Sequence, residues 1–329
     1  MNILVTGGAG YIGSHLVEKL INNTDNIFIV DNLSTGHKSL IHDQAKFIEE
    51  DIKNKNRLTY LIKSCHIDTI FHLAACLNVK EAEENKHKYR KNNIEGTKNL
   101  IMACENSNVR NFIFSSSCSI YGNVKGSVNE KRKPNPEGYY AYTKYISEKL
   151  IRKYSSIFKY KYGILRYFNV AGASESFRIG EIEESHGHLI KNIAIQSILD
   201  KPVLNIFGND YPTKDGTCIR DYIHVSDLVD IHLKGINYLS SENKSFTLNC
   251  GYGKGYSVKQ IADAFREIKE NVRINYQERR IGDVAEVYSD TAKLTQLFKW
   301  KPKNKAIKEI MMSAIEWEKI LKQSDLIKK

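Results

Sequence analysis

Short apolar runs alternate with stretches of helical periodicity along the first half of the chain. The run Ile3-Leu4-Val5 is followed by glycines and by a helical pattern over residues 15–21, and the run Ile27-Phe28-Ile29-Val30 then ends at Asp31. A strand, a helix and a second strand in this order predict a βαβ unit. Further apolar runs lie at residues 46–48, 69–73, 111–114 and 163–168. Because these runs are almost continuously apolar, they predict a parallel sheet covered by helices on both faces, a doubly wound α/β fold.

The alternation becomes less regular after about residue 170, where a polar stretch extends as far as residue 188. We therefore expect a first domain over residues 1–170 and a smaller C-terminal α/β lobe over residues 171–329, with segments near residues 220–230 returning to the sheet. Ser257 is a suitable N-cap for a helix in this lobe. A cleft is expected at the carboxyl ends of the strands, where folds of this class bind ligands.

The formal net charge of +11 makes the distribution of the basic residues important. They are spread along the chain in short mixed segments, such as residues 53–57 and 131–133, which is typical of a solvated Lys-rich surface. No nucleic-acid partner is therefore expected, although non-specific attraction to polyanions stays open.

The six cysteines show neither CxxC pairing nor the histidine spacing of a zinc site, so we expect reduced thiols and no bound metal. The apolar run at the start of the chain is too short for a signal peptide, and no later run approaches the length of a membrane span. These observations predict a cytoplasmic protein without membrane contact. The hydrophobic fraction of 41% is ordinary for a globular protein.

A glycine-rich turn joins the first predicted strand to its helix. Gly7, Gly10 and Gly13 occupy its first, fourth and seventh positions, with Tyr11 and Ile12 before the last glycine. Glycine permits tight geometry there, so a pyrophosphate can approach the free N–H groups and the positive dipole of the helix N-terminus. Three glycines also occur in ordinary turns, but their position between a strand and a helix favours a Rossmann-type dinucleotide site.

Asp31 ends the second predicted strand, where a carboxylate can accept hydrogen bonds from both ribose hydroxyls of an adenosine and would repel a 2′-phosphate. This position favours NAD over NADP as the cofactor. The alternative interpretation is that Asp31 caps a helix beginning at Asn32-Leu33. Asp51-Ile52 follows the third strand and fits a carboxylate that reaches the adenine amino group, although an ordinary turn aspartate fits the same pattern.

Tyr140 and Lys144 are four residues apart, which places both on one face of a helix. A neighbouring ammonium favours the phenolate, so we expect Lys144, and further the positive nicotinamide, to lower the pKa of Tyr140 from its usual value of about 10. Such a pair can remove a hydroxyl proton while a hydride leaves the same carbon. Tyr145 and Lys149 share the spacing, but the segment 134–138 places Tyr140 at a helix start, which favours the first pair.

Ser115-Ser116-Ser117 follows the predicted strand at residues 111–114, so hydroxyl groups gather at the carboxyl edge of the sheet. Ser117 can share a proton between a substrate hydroxyl and Tyr140. The alternative is that its hydroxyl only satisfies the loop backbone in an ST-turn.

With these residues in place, the chain resembles the UDP-hexose 4-epimerases of the extended short-chain dehydrogenase/reductase family along nearly its whole length. The matching segments are residues 7–15, 31–34, 92–93, 96–97, 112–117, 165–173, 206–217 and 220–225. This resemblance implies an NAD-dependent isomerase of UDP-glucose and UDP-galactose that forms a transient 4-keto sugar, keeps its NAD tightly bound and is a homodimer. The hexose would rotate about its link to the anchored diphosphate before hydride returns to the opposite face of C4.

The candidate site residues fall into three sets. The candidate catalytic residues are Ser117, Tyr140 and Lys144. The candidate cofactor residues are Gly7, Gly10, Tyr11, Ile12, Gly13, Asp31, Asn32, Leu33, Ser34, Asp51, Ile52, Leu73, Ala74, Asn92, Ser115, Tyr140, Lys144 and Phe168. By the resemblance, the UDP-sugar residues are Ser117, Asn169, His188, Asn205, Phe207, Arg220, Arg280, Asp283 and Val287. The arginines would offer forked donors to the diphosphate, Phe207 would pack on uracil, and Asn92 and Phe168 would hold the nicotinamide half.

This chain departs from the family pattern at several positions. Tyr139 stands where many relatives have proline, Leu77 lies near a position where lysine is frequent, and His188 stands where some relatives carry asparagine. Val287 lies where some glucose-restricted relatives have a bulky tyrosine. A smaller side chain leaves room for a 2-acetamido group, so we hypothesise that UDP-GlcNAc and UDP-GalNAc are substrates as well.

Two other functions share parts of this pattern. A sugar-nucleotide 4,6-dehydratase or another epimerase of the same family would use the same tyrosine, lysine and cofactor. Dehydratases typically carry Thr-Asp-Glu where this chain has Ser117-Cys118-Ser119, which cannot protonate a departing 6-hydroxyl. A non-enzymatic NAD-sensing protein of the same fold usually lacks the tyrosine or the lysine.

Overall fold

The computed structural model describes residues 1–21, 26–182, 187–280, 282–304 and 306–324. The strands are β1 (Asn2–Thr6), β2 (Asn26–Asp31), β3 (Lys46–Glu49), β4 (Thr69–His72), β5 (Asn111–Ser117), β6 (Ser127–Val128), β7 (Lys161–Tyr167), β8 (Asn169–Ala171), β9 (Val203–Phe207), β10 (Ile219–His224), β11 (Phe246–Cys250), β12 (Gly255–Ser257), β13 (Arg273–Gln277) and β14 (Glu286–Ser289). The α-helices are α1 (Tyr11–Ile21), α2 (Lys55–Ser64), α3 (Val79–Glu84), α4 (Lys86–Tyr89), α5 (Thr97–Ala103), α6 (Tyr139–Phe158), α7 (Leu189–Ser197), α8 (Val225–Glu242), α9 (Val258–Arg266), α10 (Ala292–Phe298) and α11 (Ile307–Gln323). Short 3-10 turns cover Lys38–Leu40 and Cys118–Tyr121, and a π-helix covers Arg90–Gly96.

The described residues form two compact units, each assembled from three separate segments of the chain. Unit 1 comprises residues 1–120, 136–166 and 229–248, and unit 2 comprises residues 121–135, 167–228 and 249–329. Strands β7 and β11 each begin in unit 1 and end in unit 2. The assignment of cofactor binding to residues 1–170 and of substrate binding to residues 171–329 stays a prediction.

Unit 1 is built on a seven-stranded sheet with the strand order β11-β7-β5-β4-β1-β2-β3. β1 pairs in parallel with β2 on one side and with β4 on the other, so that Val5 lies opposite both Ile29 and Phe71. The chain runs outward from β1 to β3 and then returns to β4, which reverses the strand order next to β1. Such a reversal is the point at which doubly wound sheets bind ligands. The predicted doubly wound α/β fold is confirmed.

Helices cover the strands of this sheet, because side chains on both of its faces are apolar. Leu4, Ile70 and Phe112 lie side by side on one face, are at most 1% exposed, and pack with apolar side chains of α2, α5 and α6. Val5 and Ile29 point to the opposite face and are fully buried, and α1 contacts β1 and β2 there. Burial of alternate residues on two faces explains why the strands read as continuous apolar runs.

Unit 2 contains two smaller sheets. β10 pairs in parallel with β8 and β14 and antiparallel with β12, while β6 extends this sheet beside β14. β9 and β13 form a separate parallel pair. Asp221 on β10 is fully buried, and its carboxylate accepts hydrogen bonds from the N–H groups of Tyr252, Gly253 and Ser289. These donors offset the cost of burying a carboxylate and hold the segments around β10 together.

Among the described residues, no helix is both long enough and apolar enough to cross a bilayer. The same described ranges contain no group of three or more His, Cys, Asp or Glu side chains placed to hold a metal ion.

Candidate active site

The glycine-rich turn at the carboxyl end of β1 opens directly into α1. Gly7 has a φ of +75°, in the left-handed region, and a Cβ atom added to it would lie 2.7 Å from the main-chain nitrogen of Ala74. A Cβ added to Gly13 would lie 2.0 Å from the carbonyl oxygen of Gly7, whereas one added to Gly10 would lie 3.3 Å from that oxygen. Gly7 and Gly13 are therefore required by the turn itself. Gly10 is the least crowded of the three and leaves room for an anion at the helix N-terminus.

Asp31 lies at the end of β2 and is 8% exposed. Its carboxylate accepts hydrogen bonds from the N–H of Ala9 in the glycine turn (3.0 Å) and from the N–H of Leu33 (2.9 Å). Burial raises the pKa of Asp31, and these two bonds offset part of the increase. Residues 32–37 are all described and form no helix, so the helix-cap alternative is wrong. Each carboxylate oxygen keeps a second lone pair, which fits the ribose hydroxyls of an adenosine.

The other candidate cofactor residues of unit 1 follow the carboxyl ends of neighbouring strands. Asn32 donates from Nδ2 to Oδ2 of Asp51 (2.9 Å), which joins the segments after β2 and β3. The N–H groups of Leu73 and Ala74, after β4, both donate to the carbonyl oxygen of Thr6 on β1. Tyr11 and Ile12 lie in the first turn of α1, Leu33 and Ser34 in the loop after β2, and Ile52 in the turn after β3. The structure therefore gathers these residues along one edge of the sheet.

Helix α6 carries Tyr140 and Lys144 near its start. Tyr140 is the second residue of the helix, and the ammonium of Lys144 lies 5.9 Å from the centroid of its ring. Lys144 is only 2% exposed, and its Nζ donates to the carbonyl oxygen of Ser115 (2.9 Å) at the end of β5. Burial lowers the pKa of Lys144 to about 7. This hydrogen bond joins the helix that carries Tyr140 and Lys144 to the end of β5.

Burial raises the pKa of Tyr140, and a hydrogen bond with Ser117 offsets part of that increase. The expectation that the pKa of Tyr140 lies below its usual value is therefore wrong for the chain alone, because burial removes the solvation of the phenolate. The hydroxyl of Ser117 also accepts hydrogen bonds from the N–H (3.2 Å) and the hydroxyl (2.9 Å) of Ser119. The loop contact that the sequence left as an alternative is therefore present, and the role of Ser117 in proton sharing with Tyr140 stays a prediction.

The second Tyr/Lys pair of α6 lies in a different environment. Lys149 is exposed, Tyr145 is half-buried, and the ammonium lies 5.3 Å from the ring centroid. Solvent around Lys149 leaves its charge hydrated, so this pair lacks the desolvated ammonium that distinguishes Lys144. The choice of Tyr140 over Tyr145 stays a prediction, which this difference in burial favours.

The π-helix Arg90–Gly96 was not predicted, and it positions Asn92 and Asn93. The side chain of Asn93 accepts from the N–H of Cys76 (2.8 Å) and donates to the carbonyl oxygen of Cys76 (3.0 Å) and to the hydroxyl of Thr143 (3.1 Å). Asn92 donates from its amide to the side-chain oxygen of Asn93 (3.2 Å). The π-helix thus links the loop after β4 to the turn of α6 that carries Lys144, in keeping with the frequent occurrence of π-helices at functional sites.

A buried ion pair holds α6 against the sheet. Glu148, one turn after Lys144, accepts hydrogen bonds from Nε (2.9 Å) and Nη2 (2.7 Å) of Arg166 on β7 and from the hydroxyl of Ser116 (2.7 Å) on β5. Glu148 and Arg166 are 2% and 3% exposed. The forked contact satisfies both charges in a place where either alone would be costly. Sequence reasoning missed this pair because its members are distant in the chain and no local pattern links them.

Most candidate UDP-sugar residues lie in unit 2. Asn205 and Phe207 share the outward face of β9, while the residues between and before them point into the core. The guanidinium of Arg280 lies 3.8 Å from the centroid of the Phe207 ring, and its Nη1 donates to the carbonyl oxygen of Gly187 (3.4 Å). Gly187 directly precedes His188, so these candidates from three separate segments are brought close together.

A second group of candidates lies on β10 and β14. Nη2 of Arg220 donates to Oδ1 of Asp283 (3.3 Å), and Arg220 lies opposite Val287 in the strand register. Val287 is 6% exposed, so its side chain is largely covered within its own unit. Asn169 lies on β8, which pairs farther along β10, and Phe168 just before it is 5% exposed. The structure therefore brings Arg220, Asp283 and Val287 together and leaves Asn169 and Phe168 in a separate segment.

Glu181 is a further residue that the sequence analysis did not select. Its Oε1 lies 2.5 Å from Nδ1 of the candidate substrate residue His188. No spacing rule would have found this contact, because the segment between the two residues has no regular pattern in the sequence.

The chain is similar to known proteins over nearly its full length. The model of the NAD dependent epimerase/dehydratase family matches residues 3–251. The UDP-glucose 4-epimerase of Lactobacillus helveticus is 37% identical over 322 residues, which cover 97% of this chain and 97% of that protein. The UDP-glucose-4-epimerase from Stenotrophomonas maltophila, crystallised with bound NAD and formylated UDP-arabinopyranose, has a TM-score of 0.91 at 31% identity and covers 98% of this chain and 99% of its own. The UDP-Glc/GlcNAc 4-epimerase from Campylobacter jejuni has a TM-score of 0.83 at 39% identity, with 97% and 99% covered.

Proposed function

Because this chain belongs to the NAD dependent epimerase/dehydratase family, we infer that it is an isomerase, a UDP-glucose 4-epimerase that inverts C4 of the hexose through a transient 4-keto sugar. The observation that carries this inference is the site on α6, where the ring of Tyr140 lies beside the buried ammonium of Lys144. The 4,6-dehydratase alternative is not favoured, because Ser117 is followed by Cys118 and Ser119 and supplies no carboxylic acid for a leaving hydroxyl.

The glycine turn and Asp31 fit NAD as the cofactor. The N-terminus of α1 behind Gly10 would take the pyrophosphate, and the two oxygens of Asp31 would accept the adenosine ribose hydroxyls. NAD held by these residues would supply a hydride acceptor and donor for C4 of the sugar. Asn92 and Phe168 are proposed to hold the nicotinamide half.

Tyr140 is the proposed base and acid for the O4 proton. The raised pKa keeps the Tyr140 hydroxyl protonated in the chain alone. We propose that the positive charges of Lys144 and of the nicotinamide lower this pKa when the cofactor is bound. The Ser117 hydroxyl, which offsets part of the raised pKa of Tyr140, is proposed to pass the proton between the sugar hydroxyl and the phenol. Lys144, fixed to the carbonyl oxygen of Ser115, supplies a cation that no solvent screens.

The residues of unit 2 are proposed to anchor the UDP portion. Arg220 and Arg280 carry forked donors suited to the two phosphates. Phe207 offers an aromatic face on the outward side of β9, and Asp283 can accept from ribose hydroxyls. Anchoring through the diphosphate would leave the hexose free to turn, which the inversion of C4 requires. Asn169, Asn205 and His188 complete the proposed set.

We further propose that the enzyme accepts UDP-GlcNAc and UDP-GalNAc. Val287 has a smaller side chain than the tyrosine of some glucose-restricted relatives, and a relative at 39% identity is named a UDP-Glc/GlcNAc 4-epimerase. The chain is also proposed to be a homodimer in the cytoplasm, which sedimentation of the purified protein and cell fractionation would check.

One assay tests the activity and its substrate range. Purified protein is incubated with UDP-Gal, UDP-Glc, UDP-GalNAc and UDP-GlcNAc without added NAD, and the products are resolved. We expect each sugar to reach an equilibrium with its C4 epimer. Formation of a 4-keto-6-deoxy product, or no turnover of any substrate, would contradict the proposed function.

The Val287→Tyr variant separates the substrate range from the activity. A bulky phenol at this position should suppress the N-acetylated pair and leave UDP-Glc turnover close to that of the wild type. Negligible turnover of UDP-GlcNAc beside UDP-Glc in the wild type, unchanged in Val287→Tyr, would exclude the N-acetyl proposal alone.

A further inference from the structure

His188 and Glu181 form a hydrogen-bonded pair at the start of α7. His188 is the residue that precedes the helix, and its side chain makes no capping bond to the helix. Its Nδ1 lies 2.5 Å from Oε1 of Glu181. The His188 side chain is 45% exposed, whereas that of Glu181 is 9% exposed. The pair therefore presents an accessible imidazole supported from behind by a covered carboxylate.

The backbone around Glu181 is held rigidly by two helices. Its carbonyl oxygen accepts hydrogen bonds from Nζ of Lys191 (2.8 Å) on α7 and from Nε1 of Trp317 (3.0 Å) on α11. The indole also fills the space beside Gly180, where an added Cβ would lie 2.4 Å from the ring. Because the main chain is fixed in this way, the carboxylate of Glu181 has a defined position from which to orient His188.

Glu181 supplies the charge that raises the pKa of His188. Lys191 is itself paired with Glu318 (2.6 Å), so these two buried charges compensate each other. Arg280 reaches the carbonyl oxygen of Gly187 and adds positive charge on the outward side. Burial alone would lower the pKa of His188, but the charge and the hydrogen bond of Glu181 outweigh it and raise the pKa above its usual value.

We propose that Glu181 is a positioning residue that holds His188 in its doubly protonated form, as a cationic donor to the diphosphate of the UDP-sugar. A carboxylate that accepts from Nδ1–H fixes the ring so that Nε2 points away from it. In the cation Nε2 carries a proton and donates to an anion, whereas in the neutral ring it presents a lone pair that repels one. Substrate affinity should therefore fall as His188 loses its proton. This inference rests on the proposed function, because it needs a UDP-sugar as the ligand.

The test measures the Kd of UDP-glucose by titration calorimetry between pH 6 and pH 9, alongside KM and kcat. UDP-glucose is the suitable probe because its diphosphate, esterified at both ends, does not titrate in this range. For the wild type we expect Kd to rise by about ten-fold in total, the size of one charge-assisted hydrogen bond. In Glu181→Gln the rise should begin at lower pH than in the wild type, with KM following Kd and kcat nearly unchanged.

Three further variants complete the design. Glu181→Asp keeps the charge and should restore the wild-type pH profile in large part. His188→Asn keeps a donor without a titration, so its Kd should not vary with pH in this way. Glu316→Gln removes an exposed carboxylate that pairs with Lys319 on α11 and should behave as the wild type.

The outcomes separate this inference from the proposed function. The inference is overturned if the pH profile of Glu181→Gln is unshifted. It is also overturned if this variant loses affinity equally at all pH values and has a lowered Tm, because Glu181 would then have only a structural role. The same holds if His188→Asn keeps the wild-type pH dependence. If the wild type does not bind UDP-glucose at any pH, the proposed function itself fails.

Discussion

The ammonium of Lys144 donates a hydrogen bond to the main-chain carbonyl oxygen of Ser115, which is 2.9 Å away. This bond joins the first turns of α6 to the last residues of β5, so the helix that carries Tyr140 cannot slide along the sheet edge that carries Ser117. The bond requires the ammonium to be buried, and burial of this charge lowers the free energy of unfolding of the protein.

The stability of the protein should depend on pH through Lys144. Burial lowers the pKa of Lys144 from 10.5 to about 7 in the folded chain, so between these values the unfolded chain binds more protons and stability rises with pH. Below pH 7 the lysine is charged in both states, and its full cost is present. Lys144→Met should therefore be more stable than the wild type at pH 7, and this difference should shrink by up to about 1.4 kcal/mol per pH unit towards pH 9.5.

Chemical denaturation at pH 7.0, 8.0 and 9.5 measures this difference. Lys149→Met is the matched control, since it makes the same change on the exposed side of the same helix and should show no such pH dependence. A Lys144→Met protein whose stability stays parallel to that of the wild type at all three values would contradict a lowered pKa for Lys144.

Removal of the phenol hydroxyl should separate proton transfer from binding. We expect Tyr140→Phe to lower kcat by about 10²–10⁴-fold, because general acid–base catalysis contributes a factor of this size, while UDP-glucose binding is retained. Tyr145→Phe, one turn further along α6, should turn over like the wild type. Steady-state rates and calorimetric Kd values check both variants, and near-normal turnover in Tyr140→Phe would refute the role of Tyr140.

Substitution of the glycines should distinguish the turn from the cofactor. Gly13→Ala places a Cβ 2.0 Å from the carbonyl oxygen of Gly7, so we expect a loss of about 1–3 kcal/mol in folding stability from overpacking. Gly10→Ala, with its Cβ 3.3 Å from that oxygen, should fold almost normally but bind NAD less well, because its methyl group stands where the pyrophosphate approaches. Thermal unfolding and the NAD content of the purified proteins measure the two effects. Equal NAD content in Gly10→Ala and the wild type would argue against the proposed pyrophosphate position.

The buried pair on α6 should be far more sensitive to truncation than an exposed pair. Arg166→Met leaves the carboxylate of Glu148 buried without its forked partner, so we expect a loss of about 3–5 kcal/mol in the free energy of unfolding. The double variant Glu148→Met/Arg166→Met should recover part of this loss. Lys319→Ala, which breaks an exposed pair with Glu316, should change stability by less than about 1 kcal/mol. A double variant less stable than Arg166→Met would show that the pair stabilises by more than mutual neutralisation.

Local patterns were sufficient to predict six of the seven strands of the sheet of unit 1. The apolar runs at residues 27–30, 46–48 and 69–73 correspond to β2, β3 and β4, and Ser257 caps α9 in a capping box with Gln260, as predicted. The strand β11 and the helix α8 could not be assigned to this unit in advance, because their partners are distant in the chain. A buried strand also has the same apolar sequence pattern in either unit. The two-residue strand β6 is too short to leave any periodic signal.

The candidate site could be predicted where its geometry follows from spacing along one element. The glycine turn and the Tyr140/Lys144 pair are of this kind, because a turn and a helix fix the relative positions of their residues. The contacts of Asn93, Glu148 and Glu181 join separate segments, and spacing carries no information about them. The direction of the pKa shift of Tyr140 was missed because burial, which depends on the whole unit, outweighs the one neighbour visible in the sequence.

The division of unit 1 into three chain segments has a consequence for its synthesis on the ribosome. The edge of β7 is covered by β11, which emerges only after residues 168–245 have been translated. Throughout that interval the nascent sheet has an unpaired edge, the kind of surface that pairs with other chains. The ring of Phe246 on β11 packs so closely against Gly163 on β7 that a Cβ atom at residue 163 would not fit. The two strands must therefore pair closely once β11 has been translated. A chain stopped near residue 170 would thus keep a permanently unpaired edge at β7.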